Sequence, residues 1–289
     1  MEKYEQKIEL FFELKNSPER TRESMKRRIF DFLIYMEVLE NSIDATTFED
    51  IQGYILHLKR DRKLSPATIN NHISSVKFFY TYVLEKEWNP IKVPRMNREK
   101  KLPVIPPRRD VNTLIEEIQN LKHKAIFSLI YGSGLRVGEV ARLKIGDIDS
   151  KEMRVRVEKA KHNTNRYTIL SEESLLVLRE YFKTYYRKPF TKEDWLFLGQ
   201  NQKSHITVKT IQNTFIKVRD RLELDTRISA HTLRHCFATH LLEDEVDPVH
   251  IQHMLGHKRL ETTNYYLHLT SKSLMGVKSP LDSPKGKKR

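Results

Sequence analysis

One cysteine in 289 residues, Cys236, leaves no partner for an internal disulfide and too few thiolates for a cysteine-rich zinc cluster. Glycine is scarce as well, nine in all, and neither a low-complexity tract nor an internal repeat is visible, which argues for a compact, mostly helical protein. No stretch approaches the ~20 consecutive apolar residues of a membrane helix. The first fourteen residues alternate charge with Ile8, Leu10, Phe11 and Phe12, unlike a secretory signal. A cytoplasmic protein without a membrane partner is therefore expected. What is abundant is positive charge, 52 Lys and Arg against 38 Asp and Glu, a net +14. Such an excess fits a polyanionic partner, because basic side chains facing phosphates release counterions. Solubility alone would explain the same number, and composition leaves the two open.

At ~100–200 residues per domain the length predicts two domains. Met25, Ile29, Phe32 and Met36 recur at helical spacing, as do Phe48, Ile51, Ile55 and Leu58. A third helix should open with Ser65 as N-cap and Pro66 in its first turn, bury Ile69, Ile73, Val76, Phe79 and Val83, and run to about Trp88. Pro94, Pro103, Pro106 and Pro107 are then interleaved with Arg95, Arg98, Lys100 and Lys101, which reads as an extended basic linker. The expected organisation is a helical domain over 1–93, a linker over 94–108, a second domain over 109–270 and a tail over 271–289. In the second domain Asp110 is expected to cap a helix. A strand pair is expected at Met153–Val157 and Tyr167–Leu170, giving a small antiparallel sheet. Helices should follow at Glu172–Tyr186, Thr207–Arg219 and His231–Leu242, and a further one should start at Asp247-Pro248 and stop at Gly256.

Four stretches of the second half carry reactive side chains. In His231-Thr232-Leu233-Arg234-His235, His231 and Arg234 share a helix face, so an imidazole and a guanidinium can meet one substrate. Gly134-Leu135-Arg136-Val137-Gly138-Glu139 puts an arginine at a helix start, where backbone N–H groups favour anions, and Glu139 one turn on reads as the partner that orients it. Leu255-Gly256-His257 sets a histidine just past a helix end, with Tyr266 nine residues later. Lys159 and Lys161 lie in the turn between the strands. Together these make a kit for metal-free attack on a phosphodiester: cations neutralise the pentacoordinate phosphorus, His and Lys move protons, and Tyr is the nucleophile. His231 and His235 have the spacing of a zinc pair, but Thr232 stands where a zinc protease carries its Glu, so no metal site is assigned. His250 and His253 receive no role, and Tyr181, Tyr185 and Tyr186 read as a packing face.

With these boxes in order, the sequence resembles the tyrosine recombinase family of the phage integrase and Xer type. "GLRVGE" at 134–139, "HTLRHCFATHLL" at 231–242, "LGH" at 255–257 and Tyr266 match it together, and the first 90 residues resemble its SAM-like core-binding domain. The resemblance implies a mainly helical, two-domain, C-shaped DNA clamp. It implies that Tyr266 forms a 3'-phosphotyrosyl link, that Arg136 and Arg234 clamp the non-bridging oxygens, that His231 assists proton transfer, that His257 hydrogen-bonds the phosphate and that Lys161 protonates the leaving 5'-oxygen. Family spacing selects Tyr266 over Tyr265. The interval back from Arg166 selects Lys161 over Lys159, although Ala160, His162 and Thr164 depart from the family's usual run.

The implied activity is site-specific recombination of double-stranded DNA through a Holliday junction, without cofactor, by a homotetramer on two sites. In such a ring Leu274, Met275, Val277 and Leu281 would dock in a neighbour. Base readers are expected on the third helix at Asn70, Asn71, His72 and Ser75, with Lys77 on a phosphate, and backbone contacts from Arg95, Arg98, Lys100 and Lys101. Relaxation of DNA in the manner of a type IB topoisomerase, and a non-catalytic regulator on the same scaffold, are the rival readings.

Overall fold

The computed structural model describes residues 2–97, 103–160, 164–186 and 189–257. The chain divides into two compact units, Met1–Lys101 and Leu102–Arg289. The division falls inside the stretch expected as a linker, 94–108, and the start of that stretch is held by the first unit. Val93 is buried, Met96 packs on the first core, and the side-chain amide of Asn70 brackets the Met96 backbone with two hydrogen bonds of 2.9 Å.

The first unit consists of α1 (Glu2–Leu14), α2 (Glu19–Val38), α3 (Phe48–Arg60) and α4 (Pro66–Phe78), the last continuing into a π-helical turn at Phe79–Val83. Thr47 and Asp50 close a capping box on α3, while Ser65 caps α4 with Pro66 in its first turn. Ile69, Ile73, Val76, Phe79 and Val83 are all buried, with Ile29, Phe32, Met36, Ile51 and Leu58 packed in the same core. Each such side chain contributes about 1.5–3 kcal/mol by leaving water. The helix ends at Val83 and not near Trp88, because Glu85 takes a left-handed conformation (φ 57°) that breaks the ladder.

The second unit holds α5 (Arg108–Glu116), α6 (Leu121–Ser133), the short α7 (Val137–Ala141), a three-stranded sheet, and then α8 (Glu172–Tyr185), α9 (Val208–Arg221), α10 (Ala230–Glu243) and α11 (Pro248–Leu255). Pro107 occupies the N-cap of α5, so Asp110 sits in the first turn, where its charge meets the positive end of the helix, and is not the cap. The sheet runs β1 (Ile148–Asp149), β2 (Arg154–Ala160) and β3 (Thr164–Ile169), antiparallel in sequential order. Val155 lies opposite Thr168 and Val157 opposite Arg166. Met153 has a left-handed φ of 48° and turns the chain, so β2 begins one residue after the expected start. Tyr181 is buried and Tyr186 packs against the core, but Tyr185 is half exposed. No helix of the described residues is long and apolar enough to cross a membrane.

Candidate active site

The site grows from the end of α6. Gly134 closes that helix in the left-handed conformation (φ 63°), and a Cβ there would stand 2.4 Å from the Phe237 ring of α10, so only glycine lets the two elements meet. Two residues on, Arg136 is the N-cap of α7. Glu139 Oε2 accepts from the Arg136 backbone N–H at 2.8 Å, and Glu139 Oε1 accepts from Arg136 Nη1 at 2.7 Å. The orienting role read from the one-turn spacing is therefore present, and it is wider than Arg136 alone.

Glu139 stands among three guanidinium groups. Arg166, projecting from β3, donates through Nη1 to Oε1 at 2.9 Å and through Nη2 to Oε2 at 2.8 Å. Arg234 Nη1, from α10, lies 3.6 Å from Oε2. Burial alone would raise the Glu139 carboxyl, but the Arg166 bonds and charge, the Arg136 backbone N–H and the Arg234 charge overcome it and hold its pKa at about 2. The carboxylate is ionised at neutral pH, and the four groups together carry two positive charges.

Arg234 is only 2% exposed. Its Nη1 donates to the Gly134 carbonyl at 2.6 Å and its Nη2 to the Leu255 carbonyl at 2.7 Å, so one guanidinium satisfies the carboxyl ends of α6 and α11, where the helix dipoles are negative. Gly256 then ends α11 in a left-handed conformation (φ 64°) and turns His257 back, placing His257 Nε2 3.3 Å from Arg234 Nη2. His231 and His235, one turn apart on α10, meet edge to face with ring centroids 4.9 Å apart.

All three imidazoles are held below the ordinary histidine range. His257 falls to about 4 through burial and then the Arg234, Arg136 and Arg166 charges. His235 falls to about 4 through burial, then His231 and Arg234. His231 keeps an exposed edge and is lowered by its packed surroundings first, then by Arg234 and Arg136. Each is neutral at pH 7, so His231 can accept a proton and His257 can donate a hydrogen bond without carrying charge. Guanidinium forks offer planar pairs of donors to phosphate oxygens, and neutral imidazoles beside them suit proton transfer.

Arg136, His231, Arg234 and His257 are thus brought to one place. Lys161 and Tyr266 lie outside the described residues, as do Arg98, Lys100, Lys101 and the tail residues. The expected base readers separate. Asn71 and Lys77 are exposed on α4. Asn70, His72 and Ser75 are buried and committed to the fold, which removes them as readers: Asn70 holds Met96, His72 Nδ1 pairs with Tyr54 Oη at 2.9 Å, and Ser75 Oγ accepts from Arg28 Nε at 2.9 Å. Arg95 donates to Ser74 Oγ at 3.0 Å and so lies along α4, not on a free strap. Arg108 at the end of the proposed linker bonds the His240 carbonyl and Asp244 at the end of α10.

Two residues escaped the sequence reading. Arg28, beside Ser75, belongs to the basic run of Arg20 to Arg28, whose charge density was a usable signal. Arg166 had a place in the register but no role, and its signal was an inverted strand. Tyr167 and Ile169 point outward at 54% and 43% exposure, while Arg166 and Thr168 face inward.

The phage integrase family matches residues 107–273, and the N-terminal SAM-like domain of phage integrases matches residues 4–90. The y4qK protein of Sinorhizobium fredii is 38% identical over 235 residues, covering 81% of this chain and 75% of that one. Tyrosine recombinase XerD of Oceanobacillus iheyensis is 31% identical over 281 residues, covering 88% and 89%. Among solved structures, the XerH site-specific recombinase bound to palindromic difH substrate shares the fold with a TM-score of 0.74 at 21% identity, covering 94% of this chain and 83% of that one. The chain belongs to the phage integrase family, the tyrosine recombinases.

Proposed function

We infer that the arginine–histidine cluster is the centre at which this site-specific recombinase breaks and rejoins DNA strands, with Tyr266 as nucleophile. The Tyr266 hydroxyl oxygen attacks the scissile phosphorus and its proton passes to His231. A phosphorus–oxygen bond to Tyr266 forms, the bond to the 5'-oxygen breaks, and Lys161 protonates that oxygen. Arg136 and Arg234 neutralise the non-bridging oxygens while His257 donates a hydrogen bond to one of them. One phosphate ester is exchanged for another at nearly equal energy, so a 5'-hydroxyl from a second duplex reverses the step without ATP, and two rounds pass through a Holliday junction. A single observation carries this assignment: three guanidinium groups share one buried carboxylate, which gives those four groups a net charge of two positives beside neutral imidazoles.

The DNA partner fits the net +14 charge and the DNA-bound structural neighbours. On the first unit we place the DNA-facing surface at the exposed side of α4, with Asn71, Lys77 and the adjoining Arg28, and carry it through Arg95 into Arg98, Lys100 and Lys101. In this proposal both units contact the duplex in the cytoplasm, and four copies assemble on two sites by donating the segment after Thr270 around a ring. A nicked suicide substrate tests the chemistry. Wild type and Tyr265→Phe should give a covalent adduct on a denaturing gel, and Tyr266→Phe should bind the site equally well and give none. An adduct from Tyr266→Phe would refute the assignment. Relaxation of a plasmid lacking paired sites would instead mark a topoisomerase.

A further inference from the structure

We propose that Arg166 is a positioning residue for the phosphate chemistry: it acts as the counter-ion of Glu139, so that the charge of Arg136 and Arg234 stays available to DNA. The inference rests on the assignment of those two arginines to the scissile phosphate. Arg166 is turned toward the carboxylate. Its side chain is 8% exposed, and each of its three guanidinium nitrogens is engaged by the protein, two by the Glu139 oxygens and Nε by the Met254 carbonyl at 2.8 Å.

The division of labour follows from how the three arginines meet the carboxylate. Arg166 spans both oxygens in the parallel two-bond geometry that makes arginine–carboxylate pairs strong. Arg136 reaches only Oε1 with its side chain, and Arg234 stands 3.6 Å away with its own fork turned to two carbonyls. Without Arg166, the Glu139 charge would fall on Arg136 or Arg234, the cluster would keep one positive charge in place of two, and a carboxylate would compete with phosphate for the same fork. The chain holds this charged side chain inward at a strand position where an apolar residue would pack without burying an ion. It also runs the turn into His257 over it, since a Cβ on Gly256 would stand 2.8 Å from Arg166 Cδ.

Charge compensation tests the idea. Adduct formation on a suicide substrate is timed for wild type, Arg166→Met, Arg166→Lys and the double variant Arg166→Met/Glu139→Gln, with single-site binding and thermal melting measured in parallel. Arg166→Met should bind DNA within a fewfold of wild type and cleave on the order of 100-fold more slowly, and the double variant should recover at least about tenfold of that loss, because an uncharged amide at position 139 needs no counter-ion. A merely structural arginine predicts a second loss on top of the first. A folded double variant no faster than Arg166→Met, or an Arg166→Met protein that cleaves at the wild-type rate, overturns the proposal. Should Arg166→Met not fold, Arg166→Lys and the double variant decide: activity within about tenfold of wild type for the lysine form together with an active double variant supports it, and any other result overturns it. Arg136→Ala and Arg234→Ala on the same substrate isolate the underlying assignment. An adduct at wild-type rate from either would remove the phosphate clamp itself, whereas loss of adduct there beside an unrescued double variant rejects Arg166 alone.

Discussion

The first unit and the second both bury polar side chains, but the charge they bury differs. In the first, Asn70, His72 and Ser75 are neutral, and each is matched by a backbone group or a side chain of the same domain. Burial lowers His72, which keeps it uncharged and compatible with the Tyr54 hydroxyl. At the active site of the second unit the buried groups include Glu139, Arg166 and Arg234, and with Arg136 the charges of these four do not cancel. Buried neutral pairs stabilise a fold by about 0.5–1.5 kcal/mol per hydrogen bond and need no ligand. A buried excess of positive charge is costly until an anion completes it, which is why it marks a site where paired neutral groups do not.

The contrast is broken most forcefully at Arg234. Arg234→Ala should abolish adduct formation, by on the order of 10³-fold or more, and also destabilise the protein by about 3–5 kcal/mol, because Glu139 and two helix-end carbonyls lose a partner inside the protein. Rate and melting temperature falling together, seen by suicide-substrate kinetics and calorimetry, is the expected signature. Smaller effects confined to stability are expected in the first unit. Asn70→Ala and His72→Ala should each cost about 1–3 kcal/mol in urea unfolding and leave the preference among DNA sequences unchanged. A shifted sequence preference would return those residues to base reading. The smallest effect belongs to the surface: Lys77→Ala should leave stability within about 0.5 kcal/mol and lower the slope of log affinity against log salt by about 0.9, the loss of one phosphate contact.

Much of this was legible from apolar spacing. Ile69, Ile73, Val76, Phe79 and Val83 are buried as their period demands, and Ser65, Asp247-Pro248 and Gly256 punctuate the helices where their backbone preferences say they should. The error at Asn70, His72 and Ser75 has one cause. An amphipathic pattern reports one buried stripe, whereas α4 is enclosed on a wider arc by Tyr54 of α3, Arg28 of α2 and the returning chain at Met96, none of which is visible in a local window. The π-helical turn after Phe78 and the two-residue strand Ile148–Asp149 escaped for a similar reason, since both are set by tertiary contacts and not by local propensity. The active-site residues were readable because their order and spacing form boxes. Arg166 was passed over because a lone inward arginine on a strand carries meaning only once its partner, 27 positions away in sequence, is known.

Arg136 and Arg234 are assigned the neutralisation of charge on a non-bridging phosphate oxygen, and a single substrate change addresses that role. Arg136→Ala, whose side chain lies at the open side of the cluster, is compared with wild type on two suicide substrates, one with an ordinary scissile phosphate and one carrying a methylphosphonate there, which lacks the negative oxygen. The variant should lose on the order of 10²–10³-fold in adduct formation on the phosphodiester and recover most of it on the methylphosphonate, because no anionic oxygen remains to be neutralised. An equal deficit on both substrates would refute that role and assign the guanidinium cluster to holding the fold.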